Sequence, residues 1–574
     1  MGSGNRFPYK TSTVLDQDFL DSCRDVQTND LQLVVDIQNP AGGFIRASDR
    51  SKYVDGTYYS ALLKFPVISR TVGEWLDNSI EFSDLRLRLS NVNGDLNSIL
   101  PGGADYAGWV GKTVDVKLGL RDVGSTYTTI FSGAVTPTGG LGRDVQSLDL
   151  QVRDKLDVVT TPFPDTVFKV ADFPDISEDL VGKGIPIIYG PWNTELTNPA
   201  DVQAFVVNSL DTDMNGDVAR TTNVRLIISE NENRSFDTTK VYVVRSDVFH
   251  PIDSADITGV SLNRDFQIVQ DSGNTLITLD DGSTINYVWE QGDVYCVQVE
   301  GKSISAGIHN NIVAIAKDLL ETYGGLTGGD FDANWTTYIN KNSPAQSAIF
   351  SIPARLWRQQ ALNTLEEVKS LLSQVRLEVF VSRDLKFKLN SLHFEDWDPD
   401  PALRIDNFDV VKNTFKPRIS TRNNFNRTKA FYNRLPKSGE NERESGFFRN
   451  AASISQSGQT VAKGVVFPNL IDKDDVENQL VEIVRISSGF IEHIEFEATW
   501  RLLLLDIGDF VKLNVQIGSV IYEDVPCMVR SIGYDPNGLK LPLKLWCMQA
   551  LPFPGWAGAG AGITGGYNAV ITEE

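Results

Sequence analysis

The sharpest candidate for chemistry in this chain is the acidic loop Asp211-Thr-Asp-Met-Asn-Gly-Asp217. Oxygen ligands at its first, third and fifth positions, with glycine at the sixth, match the opening of a calcium-binding loop. The twelfth position is Thr222 instead of a bidentate glutamate, and no helix pair is expected around it. A polar turn is therefore the favoured reading and calcium the alternative. The four histidines, His250, His309, His393 and His493, fall in separate segments, without HExxH or HxH spacing. Neither a zinc hydrolase nor a histidine-based triad is supported. Gly-x-Ser-x-Gly and the Walker A pattern are absent. Carboxylates are plentiful, which leaves room for a glycosidase pair without pointing to one. No catalytic, cofactor-binding or metal-binding residue is assigned, no cofactor is expected, and the chain is read as a non-enzyme.

Cys23, Cys296, Cys527 and Cys547 form no CxxC pair. Buried free thiols are the simplest expectation, although Cys527 and Cys547 are close enough to face each other across neighbouring strands. The strongest charge feature is a basic stretch at residues 404–449. Arg404, Lys412, Lys416, Arg418, Arg422, Arg427, Lys429, Arg434, Lys437, Arg443 and Arg449 outnumber five carboxylates there, a local excess of +6 in a chain of net charge −22. Phe425, Phe431 and Tyr432 interleave with them. Such a stretch either pairs with the acidic rest of the protein, docks on an acidic neighbour, or contacts nucleic acid, in falling order of preference. The overall acidity argues against free DNA or an anionic membrane as a general partner. The opening MGSGNRFPYK has no apolar core of a secretory signal, and runs such as Leu502 to Leu505 are too short to span a bilayer, so no membrane insertion is expected.

The elements that must position these residues are mostly strands. Leu31-Gln-Leu-Val-Val-Asp-Ile37 is a β-rich run, and Leu85, Leu87 and Leu89 alternate with Arg86, Arg88 and Ser90. Two segments read as helices. Ile312, Ile315, Ala316, Leu319 and Leu320 recur at helical spacing between a cap at Asn310 or Asn311 and a stop at Gly324-Gly325. A second helix is expected from about Leu356 to Arg376, with Ala361, Leu365, Val368, Leu372 and Val375 as its apolar stripe. A hairpin follows, from Leu377 to Val381 and from Leu385 to Leu389.

A weak internal repeat links the two ends of the chain. Gly111-Lys-Thr-Val-Asp-Val-Lys-Leu118, Phe131-Ser-Gly-Ala-Val135 and Ser147-Leu-Asp-Leu-Gln-Val152 match Gly508-Asp-Phe-Val-Lys-Leu-Asn-Val515, Cys527-Met-Val-Arg-Ser-Ile532 and Leu539-Lys-Leu-Pro-Leu-Lys-Leu545. Two antiparallel barrels of related build would produce it, with chance similarity between meanders as the rival. A Gly-rich tail, residues 551–574, carries Trp556 and Tyr567.

Five segments, in serial order, resemble the baseplate hub proteins of long-tailed phages, the siphophage type that shares its architecture with contractile-tail hubs. They are Tyr58-Tyr-Ser-Ala-Leu-Leu-Lys-Phe-Pro-Val-Ile-Ser-Arg70 with Leu89-Ser-Asn-Val-Asn-Gly-Asp95; Val181-Gly-Lys-Gly-Ile-Pro-Ile-Ile-Tyr-Gly190; Asp280-Asp-Gly282 through Tyr323-Gly-Gly-Leu326; the long helix with its hairpin; and Asp506-Ile-Gly-Asp-Phe-Val-Lys-Leu513. The resemblance implies a mainly β protein with two β-barrel domains related by pseudo-symmetry, a β-rich middle domain and a small α+β domain. The expected boundaries are an N-terminal arm at 1–24, barrel I at 25–170, the middle domain at 171–302, the α+β domain at 303–394, barrel IV at 395–550, and the tail at 551–574. It implies a homotrimer in the virion, at the tail tip, assembled in the host cytoplasm. Its expected partners are a distal tail or tail tube ring protein, the tape-measure protein, and tail fibre or spike proteins. DNA would pass through its channel without specific binding. The alternatives are a tail-associated hydrolase of cell wall or polysaccharide, and a receptor-binding tail tip protein.

Overall fold

The computed structural model describes most of residues 31–549 and the strand Ile571–Glu573. Residues 1–30, 72–83, 98–107, 193–201, 207–223, 231–239, 252–265, 280–293, 305–310, 341–351, 394–402, 535–540 and 550–570, with some shorter stretches, lie outside the described residues. The protein is mostly β.

Alternation dictates the first sheet. Leu85, Leu87 and Leu89 are buried while Arg86 and Arg88 are exposed, so the strand Asp84–Ser90 has one dry face. Six strands of this sheet, in chain order, are Leu31–Gln38, Leu63–Lys64, Asp84–Ser90, Thr113–Leu120, Val123–Val135 and Ser147–Asp154. Across the sheet they run first, fourth, fifth, sixth, third, second. Phe44–Ser48 extends one edge and Leu141–Asp144 pairs to the side.

The last sheet repeats that order. Its strands are Arg404–Asp406, Lys416–Ser420, Phe490–Ala498, Phe510–Ile517, Val520–Tyr534 and Leu541–Gln549, again laid out first, fourth, fifth, sixth, third, second. Both sequence triplets thus form the central meander of their sheets. Four of the five pairings have the same sense; the exception is first-to-fourth, antiparallel in the first sheet and parallel in the last.

The two sheets are stitched together. Ile68–Thr71, which follows the first sheet's second strand, leaves that sheet and pairs antiparallel with Ser531 to Tyr534 of the last one. Thr71 Oγ1 and Ser531 Oγ lie 2.8 Å apart. One hydrophobic core contains Leu33, Leu87, Val116 and Leu150 together with Ile494, Val511, Val529 and Leu545. Fully burying each such side chain contributes roughly 1.5–3 kcal/mol, so neither sheet holds its dry face without the other.

A second core is helical. Ile312–Thr322 starts where Asn311 Oδ1 accepts hydrogen bonds from the Val313 and Ala314 amides, at 2.9 and 3.0 Å, and gives way after Tyr323 to Gly324 and Gly325, the latter at φ +69°. The second helix is shorter than its apolar stripe suggests. It spans Thr364–Gln374, because Asn363 takes an extended backbone and caps it. The expected first turns are instead the strand Leu356–Arg358, paired with Ile187–Tyr189, and Ala361 is exposed outside the helix. The hairpin forms between Leu377–Val381 and Phe387–Ser391; Leu385, at φ +60°, belongs to the turn and not to the second strand.

Three further helices carry no counterpart in the sequence reading: Asn334–Ile339, Ala451–Ser457 and Lys473–Ser487. The last is the longest of the described helices, with Asp472 as its cap and Val476, Leu480, Ile483 and Val484 buried in the same core as Ile315 and Leu365. A seven-stranded antiparallel sheet is built from residues 203–298. The strand Ile187–Tyr189 partitions it from the helices: Ile188 points into the sheet's core, Ile187 and Tyr189 into the helical one.

Cys527 and Cys547 correct the thiol expectation. They sit directly opposite each other on neighbouring antiparallel strands, 4.4 Å apart at Cα, and form a disulfide. That separation belongs to an antiparallel pair whose side chains approach most closely. Cys296 carries a buried thiol, and Cys23 lies outside the described residues.

Candidate functional site

The basic stretch is divided between two sheets. Arg404 lies on the edge strand Arg404–Asp406, with Nε 3.1 Å from Asp406 and 3.3 Å from Asp524. Lys416 and Arg418 are exposed on Lys416–Ser420, the opposite edge, where Lys416 stands across from Glu495 and Arg418 from His493. Lysine, proline and arginine in succession on an edge strand obstruct indiscriminate pairing and leave a charged rim. Arg422 and Lys437 lie outside the described residues.

Beyond Phe425 the stretch enters another sheet. Its central strand Arg427–Arg434 pairs with Asn441–Glu444 and Phe448–Asn450 on one side and, in parallel, with Ala462–Phe467 on the other. The Arg427 guanidinium lies over the Phe447 ring at 4.0 Å. Lys429 Nζ is 2.7 Å from Glu444 and 4.7 Å from the centre of the Phe431 ring. The interleaved aromatics therefore support cations of their own chain, and part of the basic excess is internally matched. Lys412, Lys416, Arg418, Arg434 and Arg449 are exposed.

Two joints hold these surfaces in place, and both involve buried charge. Arg530, on the last sheet, makes a two-pronged ion pair with Glu378 of the hairpin, while Asn390 Nδ2 donates to the same carboxylate at 3.2 Å. The signal in the sequence was an arginine inside the apolar run Cys527-Met-Val-Arg-Ser-Ile532; such a residue is seldom buried unless paired. The second joint connects the middle sheet to the first helix. Tyr323 Oη donates to Glu230 Oε1 at 2.6 Å, Tyr189 Oη donates to Asp318 Oδ2 at 2.5 Å, and Lys302 Nζ reaches Asp318 at 2.7 Å. Burial pushes the Glu230 carboxyl up to about 7, opposed by the hydrogen bond from Tyr323 and reinforced by Asp165. Burial and the neighbouring Asp318 raise Tyr189 as well.

The histidines remain apart. His393 is buried with Nε2 3.2 Å from the Val375 carbonyl, and His493 is buried on its strand with its ring 5.7 Å from that of Trp546. His250 lies on Val248–Pro251, and His309 is outside the described residues. The loop Asp211–Asp217 is also outside them. Among the described residues, no group of three or more His, Cys, Asp or Glu is arranged to hold a metal ion.

No family model matches the chain, and no curated protein does either. Its structural neighbours include tail proteins, two of them from prophages, and chains of a PdpA-VgrG complex from Francisella. A tail protein from Neisseria meningitidis is 8% identical, covers 90% of this chain and 97% of its own, and has a TM-score of 0.39. A 43 kDa prophage tail protein from Shewanella oneidensis is 10% identical, with 90% and 98% covered and a TM-score of 0.37. A prophage tail protein from Listeria monocytogenes is 8% identical, with 90% and 94% covered and a TM-score of 0.38.

Proposed function

We propose that the chain is a structural subunit of a phage tail, the baseplate hub at the tail tip. In this reading three copies form a ring that joins a sixfold tube to a threefold tip. The observation that carries it is the repeated strand order. One chain presents two sheets of like topology side by side on a shared core. Three chains would then present six like units, the arrangement needed to meet a sixfold ring with a threefold body. The serial resemblance of five segments to phage hub proteins points the same way.

The ring would bind a distal tail or tube ring protein above, surround the end of the tape-measure protein, and carry fibres or a spike below. DNA would pass through its lumen. Carboxylates in excess there would repel phosphates and keep ejection free of non-specific binding. The basic edge at Lys416 and Arg418 would meet an acidic neighbouring surface. Light scattering on the purified protein tests the assembly: a particle of three times 63.5 kDa is expected, and a monomer at micromolar concentration contradicts the reading.

A further inference from the structure

Two edge strands of this chain are built in opposite ways. Lys416–Ser420 ends the last sheet with lysine, proline and arginine, residues that obstruct a further strand. Ala462–Phe467 flanks the sheet built on Arg427–Arg434. It pairs with that strand in parallel and, among the described residues, has no strand on its other side. Its sequence, Ala-Lys-Gly-Val-Val-Phe, holds one lysine and no proline. Ala462, Lys463 and Gly464 are exposed, and Val461 and Val466 are 44% and 51% exposed. An unguarded apolar edge of this kind is a template for another strand.

The backbone decides which groups this edge offers. The Val461 carbonyl accepts from the Asn426 and Arg427 amides, and the Lys463 carbonyl accepts from the Thr428 hydroxyl at 2.6 Å. These two residues face the sheet, so by alternation Ala462, Gly464 and Val466 turn their N–H and C=O groups outward. Gly464 lies flush against Phe431: a Cβ there would be 3.1 Å from the ring. At the three positions whose backbone it would bond, an incoming strand thus meets alanine, glycine and valine, with no charge to strip of water. The sheet as a whole is basic. Its five strands hold six Lys and Arg against three Glu. A second copy of the same edge would bring like charge to like charge, whereas a strand bearing carboxylates is attracted.

We infer that the Ala462–Phe467 edge is a docking site for an extended, acid-bearing segment of another protein, which joins the sheet as a further strand. The site does not depend on how many copies form the ring, so the outcome of the light scattering leaves it untouched. Hydrogen exchange read by mass spectrometry on the purified chain tests it. The probe is a peptide of alternating valine and glutamate, and its valine–lysine counterpart is the control. The valine–glutamate peptide should slow exchange over residues 461–467 by about tenfold, and the control should not. Ala462→Pro and Val466→Pro each remove one outward amide, a change that an edge strand tolerates. Each should abolish the protection while exchange elsewhere stays as in the wild type. Equal protection by both peptides would overturn the acidic class of partner, and protection by neither would overturn the site. Protection that is complete without peptide, in a dimeric protein, would assign the edge to a second copy and overturn the inference.

Discussion

Arg530 and Glu378 face each other as a two-pronged ion pair, Nη1 to Oε2 at 2.6 Å and Nη2 to Oε1 at 2.8 Å, with Arg530 only 1% exposed. The guanidinium also lies 3.7 Å from the centre of the Trp546 ring. The pair joins the hairpin of the helical body to the last sheet. Removing one partner strands a buried charge, which typically costs about 3–5 kcal/mol. Glu378→Ala should lower the urea midpoint accordingly, and Glu378→Leu with Arg530→Met should recover much of the loss. A double variant that loses the sum of the two single-variant losses would show that the pair does not couple the two bodies.

Gly190 closes the segment Val181 to Gly190 that resembles the hub connector. It sits at φ +77°, and a Cβ there would lie 2.1 Å from the Ala354 carbonyl oxygen. Gly190→Ala should therefore destabilise by about 3 kcal/mol or more. Gly43 has a similar φ of +74° with nothing within 4 Å, so Gly43→Ala should cost only the backbone strain, about 1 kcal/mol. Chemical denaturation of the two variants separates the close approach from the conformation.

Glu230 gives the middle joint a pH dependence. Its carboxyl is raised from 4.5 to about 7, so its contribution to stability is complete at low pH, where both folded and unfolded states hold the proton. That contribution is lost as pH rises through about 7, when the folded protein must ionise the group beside Asp165. Glu230→Gln keeps an acceptor for Tyr323 and removes the ionisation. The wild-type melting temperature should fall between pH 5.5 and pH 8 by more than that of the variant; parallel profiles would contradict the assignment.

Local pattern was legible wherever neighbours in sequence decide the outcome. Leu85, Leu87 and Leu89 announced their strand, and Asn311 with Gly325 bracketed their helix, because alternation and capping act within a few residues. The strand Leu356–Arg358 was not legible: its partner Ile187–Tyr189 lies far away in the chain, and tertiary pairing overrode a helical stripe. The helix Lys473–Ser487 carries its own start signals in Asp472, Asp474 and Asp475 and a stripe at Val476, Leu480 and Ile483, but it stands between strands in a β-rich closing region, where its spacing is not distinctive. The stitch between Thr71 and Ser531 spans 460 residues and leaves no local trace. The weak triplet repeat, by contrast, became a six-strand correspondence only once the strand order was seen.

The exposed rim at Lys416 and Arg418 predicts a charge-dependent assembly. Reversing Arg418, Arg422 and Arg427 to glutamate should weaken assembly at least tenfold, or about 1.4 kcal/mol, more strongly at low salt. Arg427→Glu also loses the stack on Phe447, so Arg418→Glu with Arg422→Glu is the cleaner pair. Sedimentation at two salt concentrations checks it. Unchanged assembly at low salt would reduce the stretch to a solvated face.

Electron cryomicroscopy of intact particles tests the central claim most directly. The account predicts three copies of this chain at the distal end of the tail tube, with their six like sheets forming one ring around the channel. Density for the chain elsewhere in the particle, or at the tip in a ring whose sheets do not alternate between the two halves of each chain, would contradict it.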